Sequence, residues 1–161
     1  MRMYSALHIP RMICRILVLS FCGLLALGGA AWAAQPKAED RAKALAERAA
    51  IYLLKAHGPE KAMGMFSDAK GPFVEGNLYV FAINADGVIL AHGTQPILIK
   101  RSIMDMQDTT GKMFGREIMA IQDRGWVHYK WLNPTTHTFD DKASYIIRID
   151  GYRIGVGAYT H

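Results

Sequence analysis

Residues 71–93 read GPFVEGNLYVFAINADGVILAHG. Two short aliphatic and aromatic runs, 77–84 and 88–92, flank Asp86-Gly87, and a DG pair in that setting is a strong hairpin signal because both turn positions tolerate positive φ. The pattern continues with DTTGKMF at 108–114, GWVHYKWLNPTT at 125–136 and KASYIIRIDGYRIGVGAY at 142–159. Residues 126–132 alternate aromatic and polar side chains, Asn133-Pro134 turns the chain, and 144–149 pairs with 153–159 across Asp150-Gly151. This predicts five strands in two groups, the second a meander.

Ahead of the strands the period is helical. Ala42, Leu45, Ala49, Tyr52, Leu53 and Ala56 recur every three or four residues, which predicts an amphipathic helix over about 36–57. Pro36 suits a first turn, Glu39 and Asp40 suit the positive end of the helix dipole, and Gly58-Pro59 ends the run. A second, short helix follows from Glu60 to about Phe66, with Ala62, Met63 and Phe66 facing inward. Residues 113–123 have helical composition. An antiparallel sheet spanning about 77–159, with the long helix on one face, is the economical α+β solution. The other face must be covered by residues 96–123, a segment too polar to be pure core.

The first 33 residues read as a signal peptide. Arg2, Arg11 and Arg15 make a basic start, residues 16–27 are uncharged and apolar, and Ala31-Trp32-Ala33 offers small residues for cleavage. An uncleaved membrane anchor is the alternative, because the apolar stretch just reaches spanning length. A lipoprotein attachment through Cys22 fits poorly beside bulky Phe21. Without Arg2, Arg11 and Arg15 the 19 Lys and Arg residues fall to 16 against 14 Asp and Glu, so the mature chain is near neutral and has no clustered basic face for nucleic acid. Both cysteines, Cys14 and Cys22, leave with the leader. That excludes a disulfide, a thiol nucleophile, a cysteine-held metal and a haem-attachment motif from residues 34–161, which are the size of one domain.

Eight features occur in one order: GPF-x3-NLYVF, the DG turn, the Ala91-His92 pair, D-x-x-GK at Asp108, GW-x-x-Y at Gly125, the NP turn, K-x-SY at Lys142 and the closing G-x-G-x-Y. This order resembles the single Cache domain of bacterial extracytoplasmic sensors. The resemblance implies a PAS-like sheet, no catalytic activity, no cofactor, and a small ligand held between the sheet and its covering loops, most plausibly a short carboxylate. Two positions depart from the family's pattern: Gly93 stands where proline usually follows the His, and Lys100 where glycine usually precedes the basic-polar pair, here Arg101-Ser102. Relatives that are receptors continue into a membrane helix and a signalling module, so the expected output of this chain passes through a membrane receptor or another envelope protein.

The candidate ligand contacts are Tyr79, His92, Trp126, Tyr129, Lys142 and Tyr145. A cation beside a sheet pocket can fix a carboxylate by a charge-assisted hydrogen bond, but Lys142 reads equally as an exposed lysine at a strand end. Strict alternation sets Lys142 and Tyr145 on opposite faces, and likewise Trp126 and Tyr129. His92 can serve an anion or act as a structural hydrogen-bonding residue. Asp108 reads as a turn residue that binds backbone amides, since no further acids follow at calcium-loop spacing. Motifs for a nucleophilic serine, a zinc protease or a phosphate loop are missing, and the six histidines are scattered, so a hydrolase ranks last. The runner-up to a sensor is a Cache-fold accessory subunit that has lost its ligand. The leader makes a direct prediction: N-terminal sequencing of protein from the soluble envelope fraction finds a start near Ala34. Recovery only in membranes with Arg15 still attached would overturn it.

Overall fold

The computed structural model describes residues 37–160; the leader lies outside the described residues. Helix α1 (Ala38–Lys55) buries Ala42, Leu45, Ala46, Ala49, Ala50 and Leu53. Four of those six are alanines, which lets the helix backbone come close to the sheet, chiefly to the two strands Phe139–Ile149 and Tyr152–Thr160. Helix α2 (Pro59–Phe66) starts with Pro59 in its first turn, where the missing N–H costs nothing. Gly58-Pro59 therefore opens α2, and α1 has already ended at Lys55.

Six strands follow: β1 (Val74–Glu75), β2 (Leu78–Ile83), β3 (Ile89–His92), β4 (Arg124–Leu132), β5 (Phe139–Ile149) and β6 (Tyr152–Thr160). All pairings are antiparallel, in the order β1-β2-β6-β5-β4, with β3 also paired to β2. The expected count of five omits β1, whose two residues are too short for any periodicity. Strand β5 starts five residues before the expected position 144. Its polar opening, Phe139-Asp140-Asp141, hides the strand from a hydropathy reading, yet Asp141 stands opposite Lys130 and their side chains meet at 2.7 Å.

The sheet separates two apolar clusters. On the helix face Leu78, Val80, Ala82, Tyr145, Ile147, Ile154, Val156 and Ala158 meet α1, with Phe66 and Phe73 in edge contact at 4.8 Å. On the other face Phe81, Ile83, Val127, Tyr129 and Ile146 are covered by Ile103, Phe114 and Ile118. The cover comprises a 3-10 turn (Pro96–Leu98), a loop, and helix α3 (Phe114–Ala120). It is the segment that the sequence assigned to this task.

Strand β6 lies between β2 and β5 and pairs with both. Deleting residues 155–160 therefore removes two ladders at once and exposes Val156 and Tyr159. Losing one large buried apolar side chain costs about 1.5–3 kcal/mol, and a domain's stability is about 5–15 kcal/mol. The truncated chain is expected to show no cooperative melting transition by circular dichroism; a transition at the parent temperature would contradict the topology.

Candidate sensor cavity

Between the sheet and its cover lies a cavity lined by Phe81, Ile89, His92, Leu98, Ile103, Met106, Phe114, Tyr129, Trp131 and Lys142. It is small: the centres of water-sized spheres can occupy about 20 Å³, room for about one water. Its walls are apolar save for His92, Lys142 and the tyrosine hydroxyl. Two glycines on β6 shape the floor. A Cβ on Gly155 would fall 2.2 Å from the Phe81 ring, and one on Gly157 would fall 1.9 Å from Lys142 Cε. Phe81 and Lys142 thus lie flat across the strand, because the residues beneath them have no side chains.

Lys142 is 2% exposed. Its Nζ donates to Tyr79 Oη at 2.7 Å and sits 4.1 Å and 4.9 Å from the centres of the Tyr79 and Tyr159 rings. Tyr159 donates its hydroxyl to the Leu132 carbonyl at 2.8 Å, and that use of its single proton sets the direction of the next bond. Tyr79 must donate to Tyr159, 3.2 Å away, and accept from Lys142. Among the described residues no carboxylate pairs with Lys142. Burial pushes its amine well below the usual lysine range. Burial likewise raises the Tyr79, Tyr129 and Tyr159 hydroxyls, so all three stay protonated at neutral pH.

His92 is buried at the end of β3. Its Nδ1 accepts from the Gln95 amide at 3.0 Å and the Thr94 amide at 3.4 Å, which leaves the ring proton on Nε2. Burial, and then the charge of Lys142, push its pKa down to about 3. His92 is therefore a neutral ring that holds the start of the cover and lies against Tyr79 in a tilted contact, 4.9 Å between ring centres. The loop of the cover that leads into α3 is held by Asp108. One of its carboxylate oxygens accepts from the amides of Thr110 (2.8 Å) and Lys112 (3.0 Å) and from the Thr110 hydroxyl, and the other from the Lys130 amide on β4 (3.0 Å). Slight desolvation would raise this carboxyl, but the four hydrogen bonds outweigh it and hold the group well below the usual carboxylate range. Lys112 adds a bond from its ammonium to the His128 carbonyl at 2.6 Å.

Comparison with known proteins decides the family. The model of the Single Cache domain 2 family matches residues 38–161. The chain belongs to that family. A curated relative, the sensor histidine kinase MctS of Rhizobium johnstonii, is 29% identical over 85 residues, a stretch that makes up 50% of this chain and 18% of the kinase. The chain thus matches less than a fifth of that protein's length. Among solved structures, a methyl-accepting chemotaxis protein from Vibrio parahaemolyticus aligns with a TM-score of 0.64 at 20% identity, over 75% of this chain and 87% of that one. A Cache chemosensory domain described for carboxylic acid recognition aligns at 0.62 and 21% identity, over 76% and 93% of the respective chains. These structures share the fold, and the family places the protein as an extracytoplasmic sensing domain.

Within this Cache domain Tyr79, His92, Tyr129 and Lys142 come together on the covered face of the sheet. Trp126 and Tyr145 do not. They meet as a tilted pair on the helix face, 5.0 Å between ring centres, and Lys43 of α1 lies over Tyr145. Alternation requires this, since β5 runs unbroken through Lys142 and Tyr145 and β4 through Trp126 and Tyr129. Lys142 is accordingly inside a strand and not an exposed lysine at its end. The sequence reading left out the apolar walls Phe81, Phe114 and Met106. Phe81 was accessible to it, being two residues beyond Tyr79 and so on the same face. The two departures from the family pattern also acquire locations. Lys100 adopts φ +73°, a left-handed conformation that favours glycine. Gly93 packs so closely that a Cβ would come within 2.9 Å of Val74 and 3.0 Å of Tyr79.

The His92 environment gives a pH prediction. A histidine whose folded pKa is about 3, against about 6.5 unfolded, contributes stability above pH 6.5 that is lost as pH falls through that window. The unfolded chain binds the proton there and the folded chain does not, so the loss reaches a few kcal/mol on the order-of-magnitude scale of linkage. His92→Asn retains a side-chain acceptor for the Gln95 amide and has nothing to titrate. Chemical denaturation at a series of pH values should give a shallower acid decline for the variant; an identical decline would place the titrating group elsewhere.

Proposed function

We propose that this Cache domain binds a short monocarboxylate between the sheet and its cover, with Lys142 as the anion contact, and reports occupancy to a partner protein of the envelope. The observation that carries this reading is a buried lysine at the wall of a largely apolar cavity, with no carboxylate paired to it among the described residues. An unpaired ammonium in such surroundings is costly, and proteins that keep one give it a counter-charge when they work. The ligand supplies that charge. Tyr79 orients the amine, and the His92 Nε2–H and the Tyr129 hydroxyl, itself 2.9 Å from Ser144 Oγ, are lining polar groups available to a second carboxylate oxygen. The apolar remainder suits a short hydrocarbon tail and offers nothing to a second charge. The solved Cache domain described for carboxylic acid recognition, similar in fold, supports the same ligand class. Cleavage of the leader would place the domain in the periplasm, where a membrane receptor or another envelope protein receives its signal.

One observation favours a second reading, a Cache-fold accessory subunit without a ligand. The cavity admits about one water, so an acid of two or three carbons enters only if the cover shifts. A thermal-shift screen of short carboxylates separates the two readings. A ligand at a hundred times its dissociation constant stabilises by about 2.7 kcal/mol, a rise of several degrees for a domain of this size. Lys142→Met fills the same space without a charge. It is expected to lose the ligand shift while its unliganded melting temperature stays level or rises, because a well-packed apolar group replaces an unpaired buried amine. Retained binding in Lys142→Met removes the lysine from the site, and failure of every acid to stabilise the parent gives first place to the accessory reading.

A further inference from the structure

We propose that the cavity binds its ligand together with a proton: a weak carboxylic acid enters undissociated, and its O–H proton ends on Lys142 Nζ. This rests on the carboxylate reading above and adds the protonation state of the site before and after binding. Charge balance in this largely apolar site sets the protonation state. Among the described residues, the titratable or charged groups facing Lys142 sit on the strands of the sheet. Strand β2 presents Tyr79, β3 His92, β4 Tyr129 and β6 Tyr159, while the cover presents only the apolar Leu98, Ile103, Met106 and Phe114. On β5 itself Asp140 lies two residues earlier, with its carboxylate engaged by Asn133, Thr136 and Thr138. The tyrosines remain protonated and His92 remains neutral, so the empty cavity offers no negative charge.

Four states of the site follow from this arrangement. An ammonium alone is a buried cation facing neutral dipoles. A carboxylate beside a neutral amine is a buried anion with one weak donor. The two balanced states are the empty cavity with a neutral amine and the occupied cavity with an ammonium carboxylate pair, and the passage between them is the addition of one whole acid molecule. In that step the O–H bond of the acid breaks, an N–H bond forms on the Nζ lone pair, and no electron or other group leaves. Tyr79 prepares the amine for it. Because Tyr159 is committed to the Leu132 carbonyl, the Tyr79 oxygen turns a lone pair toward Nζ and holds one N–H, leaving the amine lone pair for the cavity.

Proton uptake is measurable apart from affinity. Propionate is titrated calorimetrically into the mature chain at about pH 8 in phosphate and in Tris, whose ionisation heats differ, and the heats should differ by the amount for about one proton taken up. The dissociation constant should weaken about tenfold for each unit by which pH rises above the pKa of the empty site. Binding with equal heats in both buffers and a flat pH dependence overturns the proton coupling and leaves the carboxylate reading standing. No binding of propionate or acetate at any pH overturns both. A measurement without ligand tests the starting state: in the parent the folded lysine holds fewer protons than the unfolded one, so stability relative to Lys142→Met should rise with pH up to the ordinary lysine pKa. A constant difference between the two proteins from about pH 6 to 10 would falsify the neutral empty site whatever the ligand.

Discussion

A buried amine without an acid partner is the constraint around which the covered face of this domain is arranged. Lys142 reaches its position only because Gly157 leaves the neighbouring strand bare, since any side chain there would occupy the place of Cε. It stays there because Tyr79 accepts from it, and Tyr79 is free to accept because Tyr159 has given its own proton to a backbone carbonyl. Three strands, β2, β5 and β6, are thereby committed to one nitrogen. Moving β5 by one residue would turn the lysine to the helix face, and moving β2 or β6 would turn away Tyr79 or Gly157 and Tyr159, so the pairing register of the sheet and the chemistry of the cavity are a single requirement.

The two faces of the sheet divide the work. Toward α1 the contacts are apolar, with alanines setting a short distance between helix and strands. Toward the cover the same sheet meets a segment with little regular structure, held by polar groups at its start, where His92 receives amides, and in the loop before α3, where Asp108 and Lys112 grip β4. Arg153 adds a third hold by donating to the Met119 carbonyl at 2.6 Å, near the end of α3. The cover is also packed on the sheet through Ile103, Phe114 and Ile118. Which of the two faces a residue serves is set by which side of its strand it occupies.

How much of this could be read from the chain depends on how local the cause is. The hairpin at Asp86-Gly87, the amphipathic helix and the covering segment were legible because each is written in a window of ten to twenty residues. The same alternation that makes a strand also separated Lys142 from Tyr145 and Tyr129 from Trp126, but it could not say which member of each pair faces the cavity. That is decided by where α1 packs, a contact between residues a hundred positions apart. The start of β5 was hidden because Asp140 and Asp141 are depleted in strands, and only the partner residues Asn133 and Lys130 explain them there. The burial of Lys142 was the least legible feature. Lysine is almost always exposed, and nothing within several residues of it predicts the glycine on another strand that gives it room.

The empty partner position beside Lys142 also bears on why the site was not built with its own acid. A fixed aspartate there would satisfy the lysine permanently, and a ligand carboxylate would have to displace it against an interaction already formed in the same low dielectric. Leaving the amine with a neutral tyrosine sacrifices some stability in the empty domain and keeps the ligand as the sole source of counter-charge. That sacrifice stays small only while the amine can shed its proton. A lysine can do this and an arginine cannot, because the guanidinium remains protonated even when buried. Arg153, on the same face but further along β6, illustrates the difference: it meets a carbonyl directly and remains a fixed structural donor. On the binding proposed above, the choice of lysine at position 142 gives the site two states, one neutral and empty, the other ionised and occupied, and a sensing domain requires two such states that differ in what they hold.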